Sequence, residues 1–114
     1  LKLDRLNRLK TFPAFNFVYG DISDYALLEN VFSRATADKV CHLAAQAGVR
    51  YSLKDPFAYQ KSNLDGFLNI LECCRKYPVM NLVFASSSSV YGNDSSTPFN
   101  RPATITLCGY QKRQ

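Results

Sequence analysis

The sequence predicts an α/β fold: a partial parallel sheet of three strands with flanking helices. Three observations carry that reading. Segments of helical period alternate with short apolar runs in the order helix, strand, helix, strand, helix, strand. The strand candidates are apolar without clean alternation, the pattern of a parallel sheet covered on both faces. A length of 114 residues with 46% hydrophobic, 13% aromatic and 20% charged content is that of one small globular domain.

Each element has a local cause. Leu3, Leu6 and Leu9 share one face of an amphipathic segment with Lys and Arg between them. Residues 15–19 are aromatic and β-branched and run into Gly20-Asp21, a strand entering a loop. Ser23 or Asp24 caps the next helix, whose Leu27, Leu28, Val31 and Phe32 recur at helical spacing. Residues 39–45 (KVCHLAA) form a second buried strand. Asp55-Pro56 supplies an N-cap and a preorganised first turn to a long helix. Leu64, Phe67, Leu68 and Leu71 are its expected apolar stripe, and Tyr77-Pro78 ends it. Residues 82–85 are the third strand and lead into four consecutive serines. Beyond Tyr91 no period of either kind survives, so the end of the chain reads as loop or tail.

Composition removes several function classes. No apolar run approaches the roughly 20 residues that span a bilayer, and the charged opening LKLDRLNRLK is no secretory core. The net charge of +5 comes largely from the two ends, and no basic stripe interleaves with aromatics, which argues against a nucleic-acid partner. Cys41, the adjacent Cys73 and Cys74, and Cys108 form no CxxC pair. The lone His42 has no ligand partner at a metal-like spacing, so no metal site is expected. Buried or incidental thiols fit a reducing compartment, hence the cytoplasm.

Ligands of open parallel sheets bind outside the carboxyl ends of the strands. All three such ends here are small or polar: residues 20–22, then 43–46, then 86–89. Small side chains let a flat cofactor lie against backbone, and hydroxyls can hydrogen-bond a reacting oxygen. The same features also fit tight packing at Ala44 and Ala45 and a plain serine-rich turn.

These residues carry a resemblance. GDIxD, HLAAQAGVRYS, SNLxGFLNILE and FASSSSVYG, in this order, resemble the extended short-chain dehydrogenase/reductase family of NAD-dependent epimerases and dehydratases, with the UDP-glucuronate 4-epimerase branch the nearest in pattern. The resemblance implies a Rossmann-type domain over residues 1–99 that binds NAD and lacks its first βαβ unit. It also implies a UDP-sugar substrate and a homodimeric parent. By position, Asp21 and Ile22 resemble the residues that contact the adenine. Leu43, Ala44, Ala45 and Gln46 resemble the segment under the pyrophosphate and nicotinamide ribose. Asn63 resembles the asparagine that helps hold the cofactor. Ser87 takes the place of the Ser/Thr that hydrogen-bonds the sugar 4-hydroxyl, and Ser88 and Ser89 line that pocket. Val49 and Arg50 face the substrate side. Arg50 reads more readily as a solvated loop charge than as a uronate partner, and Asn63 also reads as a helix-surface amide.

Two departures from the family pattern set further expectations. No GxxGxxG turn stands among the five glycines, and Tyr110 and Lys112 miss the YxxxK spacing of the family's base and its helper. With codons ATC ACT TTA TGC GGC TAC CAA AAA for residues 105–112, a reading one base later gives SLYAATK, a YxxxK segment of the epimerase type. Residues 100–114 are therefore expected to be a frameshifted tail. In strand order 3-2-1-4-5, the first strand here pairs only with an absent strand 2. The second lacks strand 1, so exposed edges and marginal stability are expected. The activity expected of the parent is UDP-glucuronate/UDP-galacturonate 4-epimerisation, with the chain inactive alone. The alternatives are another nucleotide-sugar epimerase or 4,6-dehydratase, or a non-catalytic remnant or small binding protein.

Overall fold

A computed structural model of the chain describes residues 2–87. Ser88, Ser89 and the expected tail over residues 100–114 lie outside the described residues. Helix α1 (Lys2–Leu9) is followed by α2 (Tyr25–Ala35), strand β1 (Lys39–His42), the short α3 (Val49–Ser52) and α4 (Pro56–Tyr59). A π-helical segment, Gln60–Asp65, joins α4 without a break to α5 (Gly66–Lys76), and β2 (Asn81–Phe84) follows.

The capping signals operate as the side-chain chemistry requires. Asp24 accepts from the Leu27 amide at 3.0 Å, which starts α2. Asp55 accepts from the Ala58 amide at 3.1 Å, with Pro56 in the first turn of α4. Each carboxylate satisfies one of the helix's orphan N–H groups and meets the positive end of its dipole. Helix α2 closes on Thr36 in the left-handed region, φ 42°.

Strands β1 and β2 pair in parallel, Lys39 against Asn81 through His42 against Phe84. The Ala85 amide donates to the His42 carbonyl at 3.1 Å, one residue beyond the last paired position. Both carboxyl ends therefore point the same way from neighbouring strands. The α/β class and the parallel pairing stand as the sequence predicts, and among the described residues the sheet has two strands where three were expected. Residues 15–19 run without a ladder bond, with Phe17, Val18 and Tyr19 half or more exposed. No strand among the described residues pairs with this run.

The buried core consists of Phe32 from α2 with Ile70 and Cys73 from α5. Leu28, Val40, Cys74, Tyr77, Val79 and Leu82 pack around it. This corrects the expected stripe of the long helix. Leu64, Leu68 and Leu71 face outward, 66%, 57% and 40% exposed, and the face turned to α2 and the sheet is that of Gly66, Phe67, Ile70 and Cys73. Burial pushes the Cys73 and Cys74 thiols above their ordinary pKa, so both are poor nucleophiles. Among the described residues the cysteines are free thiols, and no helix is long and apolar enough to cross a membrane.

Candidate functional site at the carboxyl ends of the strands

The helix running from α4 through the π segment into α5 is the spine from which two loops hang. The loop at residues 20–24 docks on α5. Asn69 donates from Nδ2 to the Ile22 carbonyl at 3.1 Å. Ile22 also lies so close to Gly66 that a Cβ there would meet its Cγ1 and Cδ1 at 2.7 Å. Asp21 is thereby held next to the π segment, with Lys61 Nζ 3.5 Å from its Oδ2. The Ser23 amide donates to Asp21 Oδ1 at 2.9 Å. That backbone bond first, then the Ser23 hydroxyl and Lys61, hold the Asp21 carboxyl below its ordinary pKa. Asp21 is consequently an exposed anionic acceptor at neutral pH.

The loop leaving β1 hangs from the same spine. Leu43, Ala44 and Ala45 are exposed, and Leu43 retains 70% of its surface. Gln46 is then gripped at both backbone atoms by one side chain. Its amide donates to Asn63 Oδ1 at 2.8 Å, and its carbonyl accepts from Asn63 Nδ2 at 3.0 Å. One helical turn earlier, the Tyr59 hydroxyl donates to the Ala47 carbonyl at 3.0 Å and stands against the Gly48 carbonyl. Gly48 takes φ +102°, a conformation that favours glycine, and turns the chain into α3.

Asp21, Ile22, Gln46 and Asn63 are thus brought together on one helical segment, with Ala44 and Ala45 directly before the clamped peptide. Ser87 is exposed, three residues past the end of β2 and beside the exit of β1. Val49 and Arg50 fall on α3 and are exposed, Val49 at 81%. The sequence reading passed over Tyr59, Gly66 and Asn69. The one signal for Tyr59 was its i, i+4 relation to Asn63, which sets both on one helix face.

An exposed anionic acceptor, small exposed residues and a fixed loop at a strand's carboxyl end fit a dinucleotide such as NAD. Comparison with known proteins places the chain in a family. The family model described as GDP-mannose 4,6 dehydratase matches residues 1–106. Protein CapI of Staphylococcus aureus is 47% identical over 101 residues, which cover 87% of this chain and 30% of that protein. A UDP-glucuronate 4-epimerase of Thermodesulfobacterium geofontis is 44% identical over 105 residues, 92% of this chain and 32% of that one. The crystal structure of UDP-glucose 4-epimerase from Bifidobacterium longum, in complex with NAD+ and UDP, superposes with a TM-score of 0.71 at 33% identity. It covers 84% of this chain and 28% of the epimerase. The chain spans under a third of the length of these relatives. With its family motifs, its parallel strand ends and these matches, the chain belongs to the NAD-dependent epimerase/dehydratase family of extended short-chain dehydrogenases/reductases.

Proposed function

We propose that these residues are the cofactor-floor and sugar-facing part of an NAD-dependent UDP-glucuronate 4-epimerase. The observation that carries the reading is the in-register pairing of β1 and β2, which sends residues 43–48 and 85–87 out side by side on one edge. Asp21 accepts from the adenine, Ile22 lies against its ring, and residues 43–46 form the surface under the pyrophosphate and ribose. Held by these residues, NAD would supply the hydride acceptor and donor needed to oxidise and re-reduce the sugar C4. The Ser87 hydroxyl orients the sugar 4-oxygen, and Arg50 on α3 faces the uronate carboxylate. As a separate 114-residue polypeptide the chain binds NAD+ at millimolar level or weaker and does not turn over. Its sequence carries neither a GxxGxxG turn nor a YxxxK pair.

A chimera tests the reading. Residues 1–99 replace the matching stretch of the Thermodesulfobacterium geofontis enzyme, which supplies the turn and the tyrosine–lysine pair. The chimera is expected to retain NAD and to interconvert UDP-glucuronate and UDP-galacturonate. A chimera that folds and retains NAD but acts only on UDP-glucose, or on no nucleotide sugar, overturns the assignment.

A further inference from the structure

We propose that Tyr59 is a positioning residue, acting with Asn63 as a single clamp that fixes the loop at residues 46–48 before any ligand arrives. The purpose assigned to that loop rests on the cofactor reading above; the clamp's geometry does not. Three consecutive residues leave the sheet where the ladder offers them no partner. Asn63 takes the amide and the carbonyl of Gln46, and the Tyr59 hydroxyl donates to the Ala47 carbonyl and stands against that of Gly48, which also accepts from the Tyr51 amide at 3.0 Å.

The clamp is itself braced. The Tyr51 ring lies 6.2 Å from that of Tyr59, and the Tyr51 hydroxyl reaches Asp55 Oδ2 at 3.5 Å. Asp55 is the residue that caps α4, so the start of the helix and the aim of Tyr59 are held by one carboxylate. On the other side, the Gly66 amide bonds to the Lys61 carbonyl five residues back. That wider π turn sets the phase at which Asn63 leaves the spine, a device frequent at functional sites. The space around Gly48 is open, since a Cβ there would meet only the Tyr59 hydroxyl, at 3.9 Å. The loop is therefore held by hydrogen bonds and not by crowding. A loop ordered in this way meets its conformational cost during folding, which leaves more of the contact energy for the ligand.

Amide exchange of the full 114-residue chain, followed by NMR, reads the clamp directly. The Gln46 amide is expected to be protected in the parent chain. Asn63→Ala should raise its exchange by about tenfold, the worth of one such bond. Asn63→Asp keeps the acceptor for the Gln46 amide but sets a carboxylate oxygen against the Gln46 carbonyl, so its protection should fall between the parent and Asn63→Ala. Tyr59→Phe removes only the hydroxyl and never touches the Gln46 amide, yet should also raise Gln46 exchange several-fold. Exchange of Val40, Cys41 and Val83 in the strands should stay unchanged in all variants. Titration with NAD+ to millimolar levels, read at the Ala44 and Ala45 amides, should be weaker by roughly three- to tenfold in Tyr59→Phe with the same end point. Free exchange at Gln46 in the parent, or no response of Gln46 to Tyr59→Phe, overturns the clamp. So does a rise in the strand amides together with Gln46, since the residue would then support the whole fold. An unchanged NAD+ response in Tyr59→Phe overturns its positioning role. Parent amides that ignore NAD+ altogether overturn the cofactor reading instead, and the exchange arm still decides the clamp.

Discussion

Ser87 sits two residues beyond the final sheet hydrogen bond, from the Ala85 amide to His42. His42 pairs with Phe84, so in the same register Ser87 stands opposite Ala45 on the neighbouring strand. At about 3.3 Å per extended residue, the two positions stand at matched heights above the sheet edge. In the proposed reaction a hydroxyl so placed shares the proton of the sugar 4-oxygen with the base that a complete enzyme supplies. Losing a positioned donor of this kind costs on the order of 10² to 10³ in turnover. Ser87→Ala in the chimera should therefore lower kcat for UDP-glucuronate by that factor while NAD retention stays at the parental level. A chimera turning over at the parental rate would show that the hydroxyl is not the one that matters, and Ser89 would be the next candidate. In the same proposal Asp21 faces the opposite end of the cofactor. Its anionic character is set locally by Ser23 and by Lys61 on the spine, both visible only once the loop is folded.

At the scale of elements, the contact between Ile22 and Gly66 decides where that loop lies. Any side chain at position 66 must displace Ile22, whose own carbonyl is tied to Asn69. Overpacking of this sort usually costs about 1–3 kcal/mol. Gly66→Val is expected to lower stability by that amount in denaturant titration and to release the Asn69–Ile22 bond. Its sign should show as faster exchange in α5 and altered shifts at Asp21. No stability change in Gly66→Val would mean that the loop does not dock on α5 in solution. The same contact explains what could be read from sequence and what could not. The caps Asp24 and Asp55, the positions of β1 and β2 and the break at Tyr77-Pro78 follow from chemistry within a few residues and were legible, but the strand expected over residues 39–45 stops at His42 and the one expected over 82–85 runs from Asn81 to Phe84. The π segment, α3 and the unpaired run at residues 15–19 depend on partners far along the chain. The buried face of α5 was misread for the same reason. Leucines at 64, 68 and 71 outweigh Ile70 and Cys73 in any count of hydrophobicity, but α2 and the sheet lie on the other side. Of the site, the strand ends and Asn63 were legible from motif. The Tyr59 clamp was not, because a tyrosine near a helix start carries no local mark of its target.

For the whole molecule, the question is which uncovered surface governs its behaviour in solution. Two compete. The sheet has only β1 and β2 among the described residues, and a two-stranded sheet is marginal without cover. The outer stripe of the spine exposes Phe57 at 76%, Leu64 at 66%, Leu68 at 57% and Leu71 at 40%. Backbone edges of four-residue strands offer few bonds to a second chain, and water satisfies them at little cost when they stay unpaired. Apolar side chains have no such alternative, and burying each leucine fully is worth about 1.5–3 kcal/mol. The helical stripe should therefore dominate association of the 114-residue chain. Leu64→Lys with Leu68→Lys is expected to reduce self-association in sedimentation and dye binding to exposed apolar surface. Because both positions are already solvated, stability should change by no more than about 0.5 kcal/mol. Val83→Lys, on the exposed face of β2, is the control and should change association far less. If Val83→Lys disperses the chain and the double leucine variant does not, the sheet governs association and the stripe is incidental.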